Sequence, residues 1–461
     1  MEQQLVFDAD LLARYDVNGP RYTSYPTAPQ FDESFGEQAY RQSIVESNGD
    51  FLARPLSIYI HIPFCNTVCY YCGCNKIVTK DRNKSTDYLI HLHKEIAMQA
   101  EMFDGDRTVK QIHLGGGTPT FINNAGLAVL MNELHAHFPI ASDDVGEYSI
   151  EIDPREADAQ TIEMLRDIGF NRLSIGVQDL DKSVQLAVNR VQSEQETFAV
   201  IDAARANNFR SVSVDLMYGL PNQSLESFKR TLDRVIEESP DRLSLFNYAH
   251  MPTMFKPQRR INEADLPSAA TKLAILKQSS EQLQKAGYVY IGMDHFARPD
   301  DELAVAQREG KLQRNFQGYS THGDCDLLAL GVTGIGKTRN SFSQNHRDID
   351  AYYAALDAGH LPIFRGMSLS KDDRIRGLVI QELICHFRLD FELINRRFDI
   401  NFSEYFAKEL QQLEPMQNDG LLVLNADSIE VLPVGRLLIR NICMKFDAYL
   451  QKSSQQFSKV I

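Results

Sequence analysis

The sequence predicts an α/β protein built as a partial (β/α) barrel, with an N-terminal arm and a small, mostly helical C-terminal domain. Short β-branched runs alternate with amphipathic stretches through the larger part of the 461 residues. Parallel strands need long crossovers, so this alternation indicates a parallel sheet covered by helices. Each strand run also ends in polar residues or glycines, which would meet at one rim, as they do in a β/α barrel.

Seven runs are predicted as strands, at residues 56–62, 109–114, 147–152, 171–178, 211–218, 242–248 and 288–293. Between them, apolar residues recur three and four positions apart, which predicts covering helices. These helices span residues 87–102, 125–137, 195–207, 224–238 and 270–285. We place the barrel and its extension at residues 51–364. A doubly wound open sheet is the alternative architecture, which the shared polar rim disfavours.

Two flanking regions complete the predicted organisation. Residues 1–50 include GPRYTSYPTA at 19–28, which is too rich in Pro and Gly for a helix and too aromatic for a loose tail, so we expect an arm that contacts the active site. Residues 365–461 predict helices at 371–387 and 403–413, a hairpin at 420–431 and a final helix at 436–450, an order that resembles a winged helix. With 13 basic and 13 acidic residues, this domain lacks the basic face of a DNA reader.

The composition excludes several classes of protein. Hydrophobic residues make up 43% of the chain and charged residues 24%, which suits a folded chain with a large core. The formal net charge of −14 argues against a nucleic acid or an anionic membrane as partner. No run approaches the roughly 20 apolar residues of a membrane span, and the opening MEQQLVFDAD lacks the basic residues of a signal peptide. We expect a cytoplasmic monomer.

Four of the seven cysteines lie close together after the first predicted strand. In HIPFCNTVCYYCGC, Cys65, Cys69 and Cys72 follow a C-x3-C-x2-C spacing that brings three thiolates onto one loop. Such a set suits an iron–sulfur cluster or zinc. Zinc usually needs a fourth ligand, for which His61 is available, although its place within the strand run favours a packing role.

The cysteine loop resembles the signature of the radical S-adenosylmethionine enzymes. Further motifs resemble one family among them, the oxygen-independent coproporphyrinogen III oxidases. The motifs are GPRYTSYPTA, CGCNKIVT, HLGGGTPT, SIEIDPRE, FNRLSIGVQD, VDLMYGLP, FNYAHMPT, GMDHFARPDDELAVAQREG, RNFQGYSTHGDCDLLALG and GRLLIRNICMKFD. The resemblance extends from about residue 15 to the end of the chain, and it implies a partial barrel of the radical S-adenosylmethionine type.

The resemblance implies an oxidoreductase of haem (porphyrin) biosynthesis. Such an enzyme oxidatively decarboxylates two propionate side chains of coproporphyrinogen III to vinyl groups, giving protoporphyrinogen IX without oxygen. The implied cofactors are a [4Fe-4S] cluster on Cys65, Cys69 and Cys72 and two S-adenosylmethionine molecules, which yield 5′-deoxyadenosyl radicals. An external electron donor such as a flavodoxin or ferredoxin is also implied. The resemblance places Cys74 in the family pattern and implies that it is not a cluster ligand.

Further residues are assigned by their place in the family motifs. Tyr59, Glu151 and Arg21 are the expected catalytic residues, with Arg21 as a cation for the substrate's propionates. Glycines let the backbone approach a ligand, and carboxylates accept hydrogen bonds from ammonium or ribose hydroxyls. The expected cofactor-binding residues are Tyr59, Tyr71, Gly116, Gly117, Thr118, Glu151, Gln178, Arg190, Asp215, Ala249 and Ile335.

Two other functions stay open at this stage. A haem chaperone of the same superfamily would share the cysteine loop, although the arm with Arg21 and the extra Cys74 favour the oxidases. Residues 331–338, GVTGIGKT, fit the G-x-x-x-x-G-K-[ST] pattern of a P-loop nucleotide-binding protein. A working P-loop needs a helix that opens at Lys337 and Thr338. The RNSFSQN that follows is a poor helix start, which disfavours this interpretation.

Overall fold

The computed structural model describes residues 5–50, 54–141 and 144–450. Its strands are β1 Leu56–Ile62, β2 Phe64–Cys65, β3 Ile77–Val78, β4 Val109–Gly116, β5 Glu147–Ile152, β6 Arg172–Gln178, β7 Ser211–Tyr218, β8 Arg242–Asn247, β9 Val289–Gly292, β10 His295–Ala297, β11 Gln313–Asn315, β12 Gly318–Ser320, β13 Asp326–Leu330, β14 Ile335–Lys337, β15 Ser341–Asn345, β16 Ile363–Ser368, β17 Arg388–Asp390, β18 Leu422–Leu424 and β19 Ser428–Val431.

The α-helices are α1 Ala9–Arg14, α2 Glu37–Asn48, α3 Asn83–Ala100, α4 Asn124–His137, α5 Ala159–Asp167, α6 Lys182–Ala187, α7 Glu194–Ala206, α8 Leu225–Glu238, α9 Ala269–Lys285, α10 Glu302–Arg308, α11 Ile349–Asp357, α12 Lys371–His386, α13 Phe391–Phe398, α14 Phe402–Tyr405, α15 Ala407–Asn418 and α16 Ile439–Cys443. Short 3₁₀ turns include Lys256–Arg260, Arg436–Leu438 and Met444–Phe446. Within the described ranges, no helix combines the length and apolarity of a membrane span.

One sheet of twelve strands forms the centre of the molecule, in the order β16-β15-β14-β13-β1-β4-β5-β6-β7-β8-β10-β9. Strands β1 and β4 to β8 are parallel neighbours in chain order, and β13 runs parallel to the other side of β1. The strands at both ends of the sheet are antiparallel. Six successive parallel strands covered by helices confirm the predicted partial barrel.

The last predicted strand of the barrel needs a correction. Strand β9 forms within the predicted run, but it does not pair with β8. Strand β10 lies between β8 and β9 and is antiparallel to both. An apolar run does not encode the direction of its neighbour, so the pattern could not show this. The predicted covering helices all form. In α8, for example, Ser224 makes a capping box, and Phe228, Leu232 and Val235 form the buried face.

The carboxyl ends of the parallel strands form the rim that the sequence predicted. Ile62, at the end of β1, pairs with Gly116 at the end of β4. Gly176, near the end of β6, pairs with Asp215 of β7, beside a register shift that precedes Gln178. Parallel strands in this register bring their final residues to the same edge of the sheet. The cysteine loop, the glycine run and the rim carboxylates therefore lie together.

The C-terminal region has the winged-helix-like order of elements that was predicted. Helices α12 to α15 accompany a three-stranded sheet in the order β17-β19-β18. The expectation of one continuous final helix is wrong, because a 3₁₀ turn, the short α16 and a second 3₁₀ turn occupy its place. The large sheet extends through β16 to Ser368, past the domain boundary placed after residue 364, because β16 pairs with β15.

The N-terminal arm packs between the barrel and the C-terminal domain. Tyr22 Oη donates to Asp447 Oδ2 at 3.0 Å. Arg440 of α16 also contacts the arm: its Nε donates to the carbonyl oxygen of Pro20 at 2.9 Å. Asp32 pairs with Gly366 as an isolated bridge beside β16. Residues 1–4 of the predicted arm, 51–53 and 142–143 of the predicted barrel, and 451–461 of the predicted C-terminal domain lie outside the described residues.

The P-loop interpretation of residues 331–338 is wrong. Residues 331–334 form the turn of an antiparallel hairpin, and β14 itself follows at Ile335–Lys337 with Lys337 opposite Leu327, so no helix opens there. The Gly331 N–H donates to Glu95 Oε2 at 2.7 Å, and the Val332 N–H donates to Tyr88 Oη at 3.0 Å. These amides already bond inside the protein, and a carboxylate stands where a P-loop would hold a phosphate.

Candidate functional site

The cysteine loop follows β1 and borders a cavity of about 170 Å³. The short pairing of β2 with β3 holds the two ends of the loop together. Cys65 Sγ lies 3.6 Å from Thr118 Oγ1, and Cys69 Sγ lies 3.6 Å from Arg190 Nη1. Hydroxyl and guanidinium donors stabilise thiolates, which are the form of cysteine that binds metal.

The donor set of this cavity suits a cluster better than a single ion. Cys65, Cys69 and Cys72 all line the cavity. A cubane spreads its thiolates over separate iron atoms, whereas zinc needs a closer tetrahedron. His61 does not complete a zinc site, because its Nε2 lies 2.9 Å from the carbonyl oxygen of Asn75.

The fourth cysteine of the loop contacts the third. A hydrogen bond from the Cys74 thiol, together with Lys76 nearby, lowers the pKa of Cys72 to about 6 against the opposing effect of burial. Burial raises the pKa of Cys65 to about 11. Coordination to a metal deprotonates a thiol outright, so both remain suitable ligands.

The glycine run is required by the close approach of two chain segments. The Gly117 N–H donates to the carbonyl oxygen of Ile62 at 2.7 Å. Gly116 has φ +115°, and a Cβ there would lie 2.6 Å from His61 Cε1. A Cβ on Gly117 would lie 2.7 Å from the carbonyl oxygen of Phe64. The glycines therefore press β4 against the base of the cysteine loop, and both line the cavity.

Two carboxylates with different proton affinities face the cavity. Glu151 Oε2 accepts from the Gly116 N–H at 3.1 Å, and 45% of its side chain is exposed. The partial burial of Glu151 opposes its ionisation, but His113 and the Gly116 N–H outweigh this and lower the pKa of Glu151. Burial, together with the charge of Glu151, raises the pKa of Asp215 to about 6, although Ser244 opposes this. Near neutral pH, Glu151 is therefore ionised, whereas Asp215 gains or loses its proton close to that pH.

Gln178 and Arg190 differ in what they can offer a ligand. Arg190 is engaged with the protein: Nη1 pairs with Asp153 Oδ2 at 3.0 Å, and Nη2 donates to the carbonyl oxygen of Gly176 at 2.6 Å. Gln178 Oε1 is buried and has no hydrogen-bond partner among the described residues. A buried orphan acceptor at a cavity wall indicates a missing donor from a ligand.

Comparison with known proteins agrees with this geometry. The model of the radical SAM superfamily matches residues 59–235, and that of the HemN C-terminal domain matches residues 369–438. The chain is 53% identical to the oxygen-independent coproporphyrinogen III oxidase of Pseudomonas aeruginosa, covering 99% of both chains. It is 42% identical to that of Helicobacter pylori strain J99, covering 98% of this chain and 99% of the relative. The chain belongs to the oxygen-independent coproporphyrinogen III oxidase family.

A solved structure supports the same assignment. The coproporphyrinogen III oxidase of Escherichia coli, described as a radical SAM enzyme, superposes with a TM-score of 0.92 at 50% identity, covering 97% of this chain and all of that one. This member of the oxidase family is therefore a radical S-adenosylmethionine enzyme. The superfamily uses a [4Fe-4S] cluster and S-adenosylmethionine, which the three-cysteine cavity fits.

The cavity unites most of the residues assigned from the oxidase motifs. Eleven of the fifteen line it: Cys65, Cys69, Tyr71, Cys72, Gly116, Gly117, Thr118, Glu151, Gln178, Arg190 and Asp215. Tyr59 and Ile335 line a second cavity of about 350 Å³, which shares Glu151 with the first. Arg21 and Ala249 line a third, of about 800 Å³, beside the arm.

The second cavity contains residues that the sequence analysis did not single out. Phe316 and Gln317, in the turn between β11 and β12, line it with His113. Both amide atoms of Gln317 are buried without a partner among the described residues. The motif RNFQGYSTHG contains this pair, but nothing in its spacing indicated a ligand. Tyr59 Oη lies 3.0 Å from His61 Nδ1; because His61 Nε2 faces a carbonyl oxygen, Nδ1 is the acceptor and Tyr59 the donor.

The third cavity contains two cations from separate elements. Arg21 comes from the arm and is held by Asp294, with 3.2 Å between Nη1 and Oδ2. Lys272 of α9 donates to the carbonyl oxygen of Tyr248 at 2.9 Å. Both line the cavity with Tyr218. A cavity of this size with cations at its wall suits a large carboxylate-bearing ligand.

Proposed function

We propose that this chain oxidatively decarboxylates two propionate side chains of coproporphyrinogen III to vinyl groups, giving protoporphyrinogen IX without oxygen in haem biosynthesis. The convergence of Cys65, Cys69 and Cys72 with the rim carboxylates on one cavity carries this proposal. Family membership supplies the substrate, because the relatives are named for it.

Three cysteines would hold the cluster, and the rest of the first cavity would hold S-adenosylmethionine. When bound, these groups supply a 5′-deoxyadenosyl radical. Glu151, held ionised by His113, would accept hydrogen bonds from the ammonium of the ligand. Gln178 offers its orphan Oε1 to a donor of the same ligand. Asp215 would accept from a ribose hydroxyl most strongly above the pH at which it ionises.

The other two cavities would take the second S-adenosylmethionine and the tetrapyrrole. The cavity with Tyr59 and Ile335 adjoins the first through Glu151, so a second small ligand would lie beside the first. The cavity with Arg21 and Lys272 lies within the size range of ligand sites. Its cations would bind carboxylates of the substrate and direct one propionate toward the rim. One propionate at a time would enter, which implies a monovinyl intermediate.

The setting of the reaction follows from the same proposal. The cluster would receive its electron from an external carrier such as a flavodoxin or ferredoxin. We assign the protein to the cytoplasm as a monomer with no membrane or nucleic-acid partner, in agreement with its acidic charge.

Isotope transfer tests the proposed function. Anaerobically reconstituted protein would be given coproporphyrinogen III deuterated at the propionate β-carbons. We expect deuterium in 5′-deoxyadenosine and stepwise appearance of monovinyl and divinyl products. Vinyl product without deuterium in 5′-deoxyadenosine would refute the hydrogen abstraction. Haem binding without any vinyl product would instead favour a haem chaperone.

A further inference from the structure

A short basic segment packs directly against the cysteine loop. The 3₁₀ turn Lys256–Arg260, here called the basic turn, contacts the loop through Gln258, whose Nε2 donates to the carbonyl oxygen of Tyr71 at 3.0 Å. The ring of Phe255 covers Gly73, where a Cβ would lie 3.1 Å from the ring. These contacts fix the basic turn beside the residues that would hold the cluster.

The surface made by the loop and the basic turn is positive, although the chain has a net charge of −14. Residues 251–262 contain Lys256, Arg259 and Arg260 but no acid, and residues 61–80 contain two lysines but no acid. The three cations of the basic turn are exposed. Arg260 lies over the ring of Tyr70, 5.3 Å from its centroid, and Arg259 Nε donates to the carbonyl oxygen of Pro252. Within the part of the chain that the structure describes, neither guanidinium forms an ion pair with a carboxylate.

Exposed apolar side chains lie on the segments that adjoin the same loop. Met254, next to the basic turn, is 57% exposed, and Leu186 and Val191 are 61% and 50% exposed. The segment that contains Leu186 and Val191 also bonds to the loop, because the carbonyl oxygen of Val188 accepts from the Tyr70 N–H at 2.9 Å. Asn189 Nδ2 donates to the carbonyl oxygen of Val68 at 2.8 Å. Apolar side chains near a rim of cations are typical of a protein-docking surface.

We propose that this surface docks a small acidic one-electron carrier protein, with Lys256, Arg259 and Arg260 facing its carboxylates and Met254 in the apolar centre. The inference rests on the proposed function, which requires an electron from outside the chain. An anionic small molecule would prefer the enclosed cavities, whereas this surface is exposed. Complementary charge would steer the carrier to the side of the protein where the basic turn packs against the cysteine loop.

The step at this surface is a one-electron transfer in which no bond forms or breaks. The carrier is oxidised by one electron and the cluster is reduced by one. Complexes that transfer electrons are small and short-lived, so charge contributes mainly to the association rate and its salt dependence. Screening within about 10 Å at 0.1 M salt should therefore weaken the docking markedly.

Charge reversal of the basic turn tests the proposal. The variant Lys256→Glu/Arg259→Glu/Arg260→Glu would be compared with a matched control, Lys371→Glu/Arg396→Glu/Lys408→Glu, which changes the same number of exposed charges on the C-terminal domain. Binding of an acidic flavodoxin to the reconstituted protein is measured by calorimetry, and electron transfer by stopped flow at two salt concentrations. We expect the first variant to bind flavodoxin about tenfold or more weakly, and its rate of electron transfer to lose most of its salt dependence. The affinity of the control variant should stay within about twofold of wild type.

Two readouts separate this proposal from the proposed function. Turnover of coproporphyrinogen III driven by dithionite needs no docking, so it should persist in both variants. Its failure in the wild-type protein would refute the proposed function, whereas the binding measurement would still test the surface. If the charge-reversal variant loses its cluster, the neutral variant Lys256→Gln/Arg259→Gln/Arg260→Gln replaces it. Unchanged carrier affinity in an intact variant, or equal loss in the control, would overturn the docking proposal.

Discussion

Arg190 connects Asp153 to a cysteine of the candidate cluster site: its Nη1 lies 3.0 Å from Asp153 Oδ2 and 3.6 Å from Cys69 Sγ. Both charged side chains are about nine-tenths buried. Burial opposes ionisation, but Arg190 and Arg155 outweigh it and lower the pKa of Asp153. The sequence motifs predict that Arg190 binds a ligand, and in the structure it lines the cavity while bonding to Asp153 and lying next to Cys69.

We expect Asp153→Asn to destabilise the protein by about 3 kcal/mol near neutral pH, because it leaves a buried guanidinium without its carboxylate. Since the pKa of Asp153 is lowered on folding, its stabilising effect is present above the unfolded pKa and is lost as the pH falls. Urea unfolding of the cofactor-free protein at several pH values measures this. Exposed Asp167→Asn is the control, and equal stability of both variants would contradict the assignment.

The cluster ligands can be tested by replacing each cysteine in turn. We expect Ala at Cys65, Cys69 or Cys72 to remove bound iron and acid-labile sulfide after anaerobic reconstitution. The same change at Cys325, Cys385 or Cys443 should leave both, because these residues lie away from the cavity. Iron and sulfide analysis with an absorption spectrum provides the measurement. A full cluster in Cys69→Ala would refute the ligand set.

Much of the barrel could be predicted because its local patterns are strong. The run at 56–62 is buried on both faces and has the same bounds as β1, and the run at 147–152 has the same bounds as β5. The cysteine loop was recognisable because its ligands are close in sequence. Glu151, Gln178 and Asp215 were assigned from the family motifs, and the parallel register of β5, β6 and β7 brings them to one rim.

Other features depend on long-range contacts that the sequence does not encode locally. Phe316 and Gln317 reach the second cavity only because the β11 to β12 turn folds back toward Tyr59. The predicted final helix is replaced by the short α16 between two 3₁₀ turns, and Arg440 of α16 bonds to the arm. The P-loop pattern failed because Glu95, 236 residues away, receives the glycine N–H.

Asp215 should make stability depend on pH in a defined direction. Burial raises its pKa to about 6, so the folded state binds this proton more tightly than the unfolded chain, whose carboxyl titrates near pH 4. The contribution of Asp215 to stability should therefore fall as the pH rises from about 4 to about 6, by up to about 3 kcal/mol, and the difference in unfolding free energy between wild type and Asp215→Asn should change by that amount. Urea unfolding of cofactor-free protein across this range checks it. A constant difference between variant and wild type would show that Asp215 does not titrate there.

Lys337 should have no role in nucleotide binding. It ends the hairpin strand β14 and lies 5.8 Å from the ring centroid of Phe342. In calorimetry with magnesium, we expect neither the wild-type protein nor Lys337→Ala to bind ATP with micromolar affinity. Magnesium-dependent binding that disappears in the variant would restore the P-loop interpretation.

Arg21 provides the sharpest test of the third cavity. Its side chain is 36% exposed, so a ligand can reach it, and its ion pair with Asp294 fixes its position. If Arg21 binds a substrate carboxylate, Arg21→Ala should raise KM for coproporphyrinogen III by about tenfold to a hundredfold, the loss of one charge-assisted hydrogen bond. Arg21→Lys should recover part of this, since a lysine keeps the charge but loses the fork geometry.

Cluster content and the affinity for S-adenosylmethionine should stay at wild-type levels, because Arg21 does not line the first cavity. Steady-state kinetics with dithionite as reductant measures KM apart from kcat. An unchanged KM in Arg21→Ala, with the cluster intact, would remove the arm from substrate recognition and leave Lys272 as the remaining cation identified at that wall among the described residues.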